Sequence, residues 1–186
     1  MYVKVLGADF DRLDSVLREF HQSVPNRARG QLAVERSPVL VGRLLAQLAG
    51  LPHAAERINV DLDVTAIAGG ERWVRRFKGK PLVTAQRPWR DLLLESGGPL
   101  TFGFRLVVEA GGMRFDQQRT WFLGISLPKV LAPRVSAIVT PAEGGWHIDV
   151  RMAAPLLGPL IRYHGTMIPA ARPAQDEELP ASFRQE

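Results

Sequence analysis

The stretch Glu71-Arg72-Trp73-Val74-Arg75-Arg76-Phe77 has the alternation of a β-strand. Side chains on a strand point to opposite faces in turn, so Trp73, Arg75 and Phe77 share one face. An arginine between two aromatic side chains is unusual there, because an unpaired buried charge is costly. The neighbouring strands therefore decide whether this face is a packed core or the wall of a pocket.

The strand before this stretch predicts a hairpin. Apolar and polar side chains alternate from Ile58 to Ala66, and Gly69-Gly70 is a two-residue turn signal. Folding about these glycines pairs Val64 with Arg75, and the apolar side chains of both strands then share a face.

A second turn at Gly79-Lys80 returns the chain beside the same face. Leu82, Thr84 and Gln86 then share the side occupied by the aromatic and arginine side chains. Asp91-Leu92-Leu93-Leu94-Glu95, a little further on, predicts a short helical turn.

Another hairpin is centred on Gly111-Gly112. Its predicted register sets Gln117 against Leu106, Arg119 against Phe104 and Trp121 against Phe102, so a second arginine faces aromatic side chains.

The last clear hairpin joins Val135–Pro141 to Trp146–Met152 around Glu143-Gly144-Gly145, and places Val135, Ala137 and Val139 opposite apolar partners. A final strand is expected over Leu160–Ile168. The hairpin rhythm gives about eight strands in total.

Two amphipathic helices precede these hairpins. Apolar residues at spacings of three and four predict a helix from Asp9 to Gln22 and another over Val39–Ala49. We therefore expect an α+β fold: a strongly curved antiparallel β-sheet or partly open barrel of about eight strands, with the two N-terminal helices packed on it.

The composition is that of a globular domain. Of 186 residues, 46% are hydrophobic and 23% are charged, which suits one domain over residues 1–169. The Ala-, Pro- and Glu-rich residues 170–186 are expected to be a disordered tail. The chain has no cysteine, no signal peptide pattern and no apolar run long enough to span a membrane, so a cytoplasmic location is expected.

The net charge is +5, or +7 without the acidic tail from residue 170. Such a balance favours anionic partners in general. Because the basic residues are spread along the strands and form no block, we expect no nucleic-acid partner. The oligomeric state is not specified by the sequence.

The chain lacks the common catalytic and phosphate-binding motifs. No Gly-x-Gly-x-x-Gly, Walker loop or Gly-x-Ser-x-Gly elbow occurs, and the four histidines do not have metal-ligand spacing. No metal or cofactor is therefore expected. His21 is the weak candidate for an acid or base, although a histidine at a helix end is more simply explained by the helix dipole.

A ligand pocket would explain the polar residues on the predicted inner face. The candidate ligand-binding residues are Trp73, Arg75, Phe77, Gln86, Phe104, Gln117, Arg119 and Trp121. Arginine would hold a carboxylate or phosphate and the aromatic rings would form the wall. Alternatively, the arginines reach a sheet edge or pair with a carboxylate such as Glu35 or Asp149.

Several segments resemble one family, the domain of unknown function 4166. They include Trp73-x-Arg75-x-Phe77, Gly124-Ile125-Ser126-Leu127-Pro128, Leu131-Ala132-Pro133, Gly145-Trp146-His147-Ile148-Asp149-Val150 and Tyr163-His164-Gly165. The resemblance covers roughly Val3 to Pro169. It implies that His21, Trp73 and Arg75 belong to a family pattern in a stand-alone copy of the domain, and it supplies no activity.

Three functions remain open on the sequence. The first is a module that binds a small apolar anion, such as a lipid or fatty acid, inside the curved sheet. The second is an enzyme that uses the same pocket with His21 as acid or base, which requires His21 to open onto the cavity beside Arg75. The third is a protein-interaction or dimerisation module.

Overall fold

The computed structural model describes residues 1–48 and 50–170 and consists mostly of β-strands. The tail predicted from residue 170 therefore lies, beyond Ala170, outside the described residues. The helices are α1 (Tyr2–Leu6), a 3₁₀ helix (Gly7–Arg12), α2 (Ser15–Gln22) and α3 (Leu40–Leu48). The strands are β1 (Asn26–Arg36), β2 (Ala55–Ile67), β3 (Gly70–Phe77), β4 (Lys80–Trp89), β5 (Leu92–Gly97), β6 (Leu100–Glu109), β7 (Gly112–Phe122), β8 (Ile125–Ser126), β9 (Arg134–Ala142), β10 (Gly145–Ala154) and β11 (Gly158–Pro169).

Ten of these strands form a closed antiparallel barrel. The order is β6-β5-β4-β3-β2-β1-β11-β10-β9-β7, and β7 pairs back to β6, while β8 adds a short pairing to β7. The expectation of an α+β fold with about eight strands and an open edge is corrected to a mostly β fold with a closed barrel. Closure leaves no unpaired edge among the ten strands.

The sequence prediction missed β5 and found only the second half of β1, as a short strand over Gln31–Arg36. Three consecutive leucines in β5 resembled a helical turn, and the polar start of β1 after Pro25 resembled a loop. Both segments are extended because strands on either side supply their backbone hydrogen bonds. Tertiary pairing therefore overrides local preference here.

The first predicted helix, Asp9 to Gln22, is divided into two short pieces, the 3₁₀ helix and α2. Asp9 lies within the 3₁₀ helix, and the helix cap is Asp14, whose Oδ1 accepts a hydrogen bond from the Val16 backbone N–H at 3.0 Å. The second predicted helix is confirmed as α3, with Ala49 outside the described residues.

Gly-Gly pairs set the turns of the β2–β3, β6–β7 and β9–β10 hairpins, and in the first two the register differs from the predicted one. Gly69 has φ +74°, while a Cβ at Gly70 would lie 2.1 Å from the carbonyl oxygen of Gln86. Since the first glycine turns the chain and the second lies within the strand, the β2–β3 register moves by two residues, pairing Val64 with Trp73. A shift of two preserves which side chains share a face.

The last hairpin has the predicted register. Val139 pairs with Ile148, and Ala137 pairs with Val150, as the alternation indicated. All these side chains lie on the inner face of the barrel.

The N-terminal helices cover one end of the barrel, which we call the helix-covered end. The Asp14 backbone N–H donates to the Gly111 carbonyl at 2.8 Å, and the Phe20 and Trp146 ring centroids are 4.7 Å apart. Leu17, with no exposed surface, is at the centre of this packing. The opposite end carries α3 and is called the α3 end. No helix among the described residues is long and apolar enough to cross a membrane.

Candidate functional site

The barrel interior is filled unevenly. In the half nearer the helix-covered end, the inward side chains are buried; they include Val64, Trp73, Gln86, Phe104, Val108, Met113 and Trp146. In the half nearer the α3 end, several inward apolar side chains are only partly buried; they include Leu82, Leu100, Val135, Ala137, Val150 and Met152. The exposed surface of these side chains borders what we call the accessible space, which is confined to part of this half because Phe77, Phe102 and Ile161 there are buried.

A charged cluster lies on the inner wall beside this space. Arg75 donates from Nη1 to Thr84 Oγ1 at 2.9 Å and from Nη2 to Glu95 Oε1 at 3.2 Å, and Thr84 Oγ1 donates to the same carboxylate oxygen at 2.8 Å. The Arg75 and Glu95 side chains are 14% and 19% exposed. The arginine therefore has a carboxylate partner, and that partner is neither Glu35 nor Asp149.

The surroundings keep the Arg75 guanidinium charged. Burial is the largest influence and would lower the pKa of Arg75, but the interactions with Glu95, Tyr163 and Tyr2 together outweigh it, and the pKa of Arg75 is raised. The guanidinium carbon also lies 5.2 Å from the centre of the Trp73 ring, within range of a cation–π contact.

Tyr163 adds a polar group to the same region. Burial raises the pKa of Tyr163, so its phenol is neutral near pH 7, and the charges of Arg75 and Glu95 both act on it. Its ring packs edge-on against Phe77 at 5.6 Å. The hydroxyl can therefore donate or accept a hydrogen bond.

Gln86 and Trp73 belong to the filled half of the barrel. The Tyr2 hydroxyl donates to Gln86 Oε1 at 2.9 Å, and the Trp73 indole N–H donates to Glu71 Oε2 at 3.1 Å. Gln86 is 1% exposed and Trp73 is 7% exposed. These polar groups are satisfied within the core, so they support the cluster without opening onto the accessible space.

His21 is enclosed by aromatic side chains. Its ring lies 3.8 Å from that of Tyr2, 5.3 Å from that of Phe20 and 5.9 Å from that of Trp73, measured between centroids. Burial, and secondarily the nearby terminal amino group, lowers the pKa of His21 to about 3. A neutral, enclosed imidazole does not meet the condition that the enzyme hypothesis set for it.

The protonation of His21 predicts an acid-dependent loss of stability. The imidazole titrates near pH 6.5 when unfolded and near pH 3 when folded, so the unfolded state binds the proton first. Stability should therefore fall as the pH is lowered from 6.5 to 3, by up to about 1.4 kcal/mol per pH unit. In the His21→Phe variant, the free energy of unfolding measured with urea should depend less steeply on pH between these values than it does in the wild type.

The control for this prediction is His53→Gln, because His53 is exposed. In that variant, the free energy of unfolding should depend on pH as steeply as in the wild type. An equal pH dependence of the free energy of unfolding in the wild type and His21→Phe would contradict the conclusion that His21 is enclosed and neutral.

Arg119 and Trp121 do not face the barrel interior, which corrects their predicted placement. A β-bulge between Gly103 and Phe104 shifts the β6–β7 register, so Arg119 lies opposite Gly103 and Trp121 opposite Thr101. An extra residue reverses the face of every later side chain. Arg119 is exposed, and Trp121 packs edge-on against Trp89 on the outer wall at 5.8 Å.

Gln117 has a structural role at the same bulge. Its amide N–H donates to the Pro133 carbonyl at 2.8 Å and to Thr120 Oγ1 at 2.6 Å, while its Oε1 accepts from the Val135 backbone N–H at 2.5 Å. The side chain therefore holds the start of β9 against β7.

Of the predicted residues, Arg75 is a polar group that lies beside the accessible space. Phe77 and Phe104 are buried in the core. The sequence prediction missed Glu95 and Tyr163. Alternation of Leu93, Glu95 and Gly97 was the available signal for Glu95, but it was interpreted as a helical turn. Nothing local in the sequence indicates that Tyr163 approaches Arg75, because the two lie on strands far apart in the chain.

A broad groove of about 730 Å³ crosses the outside of β1, β2 and β11. Arg29 and Arg57 line it together with Glu56 and Asp61. Charges of both signs alternate along its walls, which is typical of a solvated surface. Among the described residues, no group of three or more His, Asp or Glu side chains is arranged to hold a metal ion.

Comparison with known proteins identifies the family. The model of the domain of unknown function DUF4166 matches residues 13–167. No curated protein matches the chain. The crystal structure of Rv2717c from M. tuberculosis is similar with a TM-score of 0.47 and 9% identity, over 86% of this chain and 99% of that chain. Since the family match covers most of the sequence, the chain belongs to the DUF4166 family.

Proposed function

We propose that this protein binds a small, largely apolar molecule with an acidic or polar head group inside the α3 half of the barrel. The observation that carries the proposal is the partly exposed apolar wall beside the Arg75–Thr84–Glu95 cluster. Apolar walls with a few polar groups are typical of ligand sites.

The head group would meet donors and acceptors together. A guanidinium has five N–H donors, and the protein bonds of Arg75 use two of its terminal nitrogens. The neighbouring Tyr163 hydroxyl supplies either role. Glu95 already neutralises the arginine, and it would repel a second carboxylate. The site therefore favours a protonated acid or a hydroxyl over a fully ionised anion.

Two other residues predicted from the sequence would support the site without touching the ligand. Trp73 and Phe77 would position Arg75 and Tyr163 through ring contacts. The ligand would instead touch the partly exposed side chains of Leu82, Ala137 and Val150. The absence of cysteine is consistent with a cytoplasmic location, which stays part of the proposal.

The test is to fill the accessible space. Ala137→Phe adds a ring to an inward position that is partly exposed, so the free energy of unfolding should change by less than about 1 kcal/mol. The same variant should lose at least tenfold in affinity for Nile red and for a dansyl-labelled fatty alcohol, both uncharged, measured by fluorescence titration. Native mass spectrometry of the wild type should show a bound small molecule that this variant lacks.

The matched control is Ser136→Phe, which adds the same ring to the adjacent outward position on β9. This variant should bind the probes as the wild type does. A wild type that binds neither probe and carries no small molecule would exclude the proposal. Strong destabilisation by Ala137→Phe would show that the interior is already packed.

A further inference from the structure

The α3 end concentrates the exposed apolar side chains of the molecule. Eight large apolar side chains in the described part of the chain are more than half exposed, and all eight belong to this end. Three of them, Leu40, Val41 and Leu44, lie on α3, because the smaller Gly42 and Ala46 face the barrel instead. Four lie in the link between β7 and β9, and Leu156 lies at the tip of the β10–β11 turn.

The same end is cationic. Its five connections span residues 37–54, 78–79, 98–99, 123–133 and 155–157, and they contain Arg43, Lys78 and Lys129 but no Asp or Glu. Among the strand residues that flank these connections, Lys80 and Arg134 add positive charge, while Glu35-Arg36 and Glu56-Arg57 each contain one charge of either sign. At the helix-covered end, residues 1–25 and the connections 68–69, 90–91, 110–111 and 143–144 contain six acidic and four basic residues. The two ends therefore differ in charge.

Two of the exposed leucines have unfavourable backbone conformations. Leu123 has φ +49° and is 71% exposed, and Leu156 has φ +63° and is fully exposed. Left-handed conformations favour Gly, Asn or Asp, and leucine is costly in them. Neither folding nor core packing explains a leucine at these positions, so an interaction outside the described chain is the better explanation.

We propose that the α3 end docks on the surface of an anionic lipid bilayer. Apolar tips would enter the interfacial region, and the surrounding lysines and arginines would meet anionic head groups. The proposal is independent of ligand binding inside the barrel.

Charge distinguishes a bilayer from a second copy of this chain as the occupant. A symmetric dimer through the α3 end would bring Arg43, Lys78 and Lys129 of one copy close to those of the other, with no carboxylate in the connections to compensate. The apolar side chains also protrude from separate connections on different strands. Separate apolar tips suit insertion among lipids better than the continuous packed core of a protein interface.

The test is vesicle co-sedimentation of the full chain. Wild-type protein should bind vesicles of phosphatidylcholine with 30% phosphatidylglycerol at least tenfold more tightly than pure phosphatidylcholine vesicles at low salt. Added salt should reduce the difference, because surface charges are screened. The double variant Leu123→Asn/Leu156→Asn should bind at least tenfold more weakly, while its melting temperature stays the same or rises because asparagine suits both turns.

The control is Val3→Asn, which removes an exposed apolar side chain at the helix-covered end. It should bind vesicles as the wild type does. The proposal is overturned if the wild type does not bind anionic vesicles or binds both vesicle types equally. It is also overturned if Val3→Asn weakens vesicle binding as much as the double variant does. A dimer in light scattering that the double variant dissociates would also overturn it, and would assign this surface to a second copy.

Discussion

Arg75→Met should lower the free energy of unfolding by about 3 kcal/mol. Glu95 is 19% exposed and would lose its cationic partner, keeping only the Thr84 hydroxyl as a hydrogen-bond donor. Removing one member of a largely buried ion pair leaves the other charge poorly solvated, which costs more than the pair itself contributes. Urea denaturation monitored by tryptophan fluorescence would measure the change.

The double variant Arg75→Met/Glu95→Leu is the matched control. Because it removes both charges together, it should recover most of the lost stability and come within about 1 kcal/mol of the wild type. The comparison separates the penalty of an unpaired charge from the value of the pair. It also gives a folded protein without the proposed head-group site, in which the dansyl-labelled fatty alcohol should lose affinity while Nile red is still bound.

A small effect would contradict this account. If Arg75→Met costs less than about 1 kcal/mol, Glu95 must be solvated well enough to need no partner. The same result would weaken the proposed function, since its polar cluster would be ordinary solvent-exposed structure.

Leu17→Ala should lower the free energy of unfolding by about 3 kcal/mol. Leu17 has no exposed surface and packs in α2 where the N-terminal helices cover the barrel end. The substitution removes buried apolar surface and leaves a cavity that the barrel wall cannot collapse to fill. Thermal and urea unfolding should show the loss in parallel.

Two controls accompany this prediction. Leu17→Met nearly preserves the volume and should cost less than about 1.5 kcal/mol. Leu40→Ala removes a leucine that is 72% exposed on α3, so its effect should stay within about 0.5 kcal/mol. Equal effects for Leu17→Ala and Leu40→Ala would show that the helices do not form part of the cooperative core.

Alternation predicted the faces of the strands well, even where the register was wrong. Trp73, Arg75 and Phe77 share the inner face as expected, because the two-residue shift in the β2–β3 hairpin preserves parity. The β9–β10 hairpin has the predicted pairs throughout its central part. Periodicity is a property of the strand itself, so no tertiary contact is needed to find it.

Arg119 shows where periodicity fails. The single extra residue at the β6–β7 bulge turns Arg119 and Trp121 outward. A bulge arises from how two strands fit the curvature of the whole barrel, and the sequence of β7 does not predict it. Half of the predicted arginine pair was therefore misplaced.

The sequence by itself determined the antiparallel strands, the aromatic side chains that share a face with Arg75 and membership of the family. Tertiary structure alone decided that ten strands close into a barrel, that Glu95 and Tyr163 approach Arg75, and that His21 is sealed. The physical reason is distance along the chain. Alternation and turn residues act between near neighbours, whereas closure and charge pairing join residues that only the completed barrel brings together.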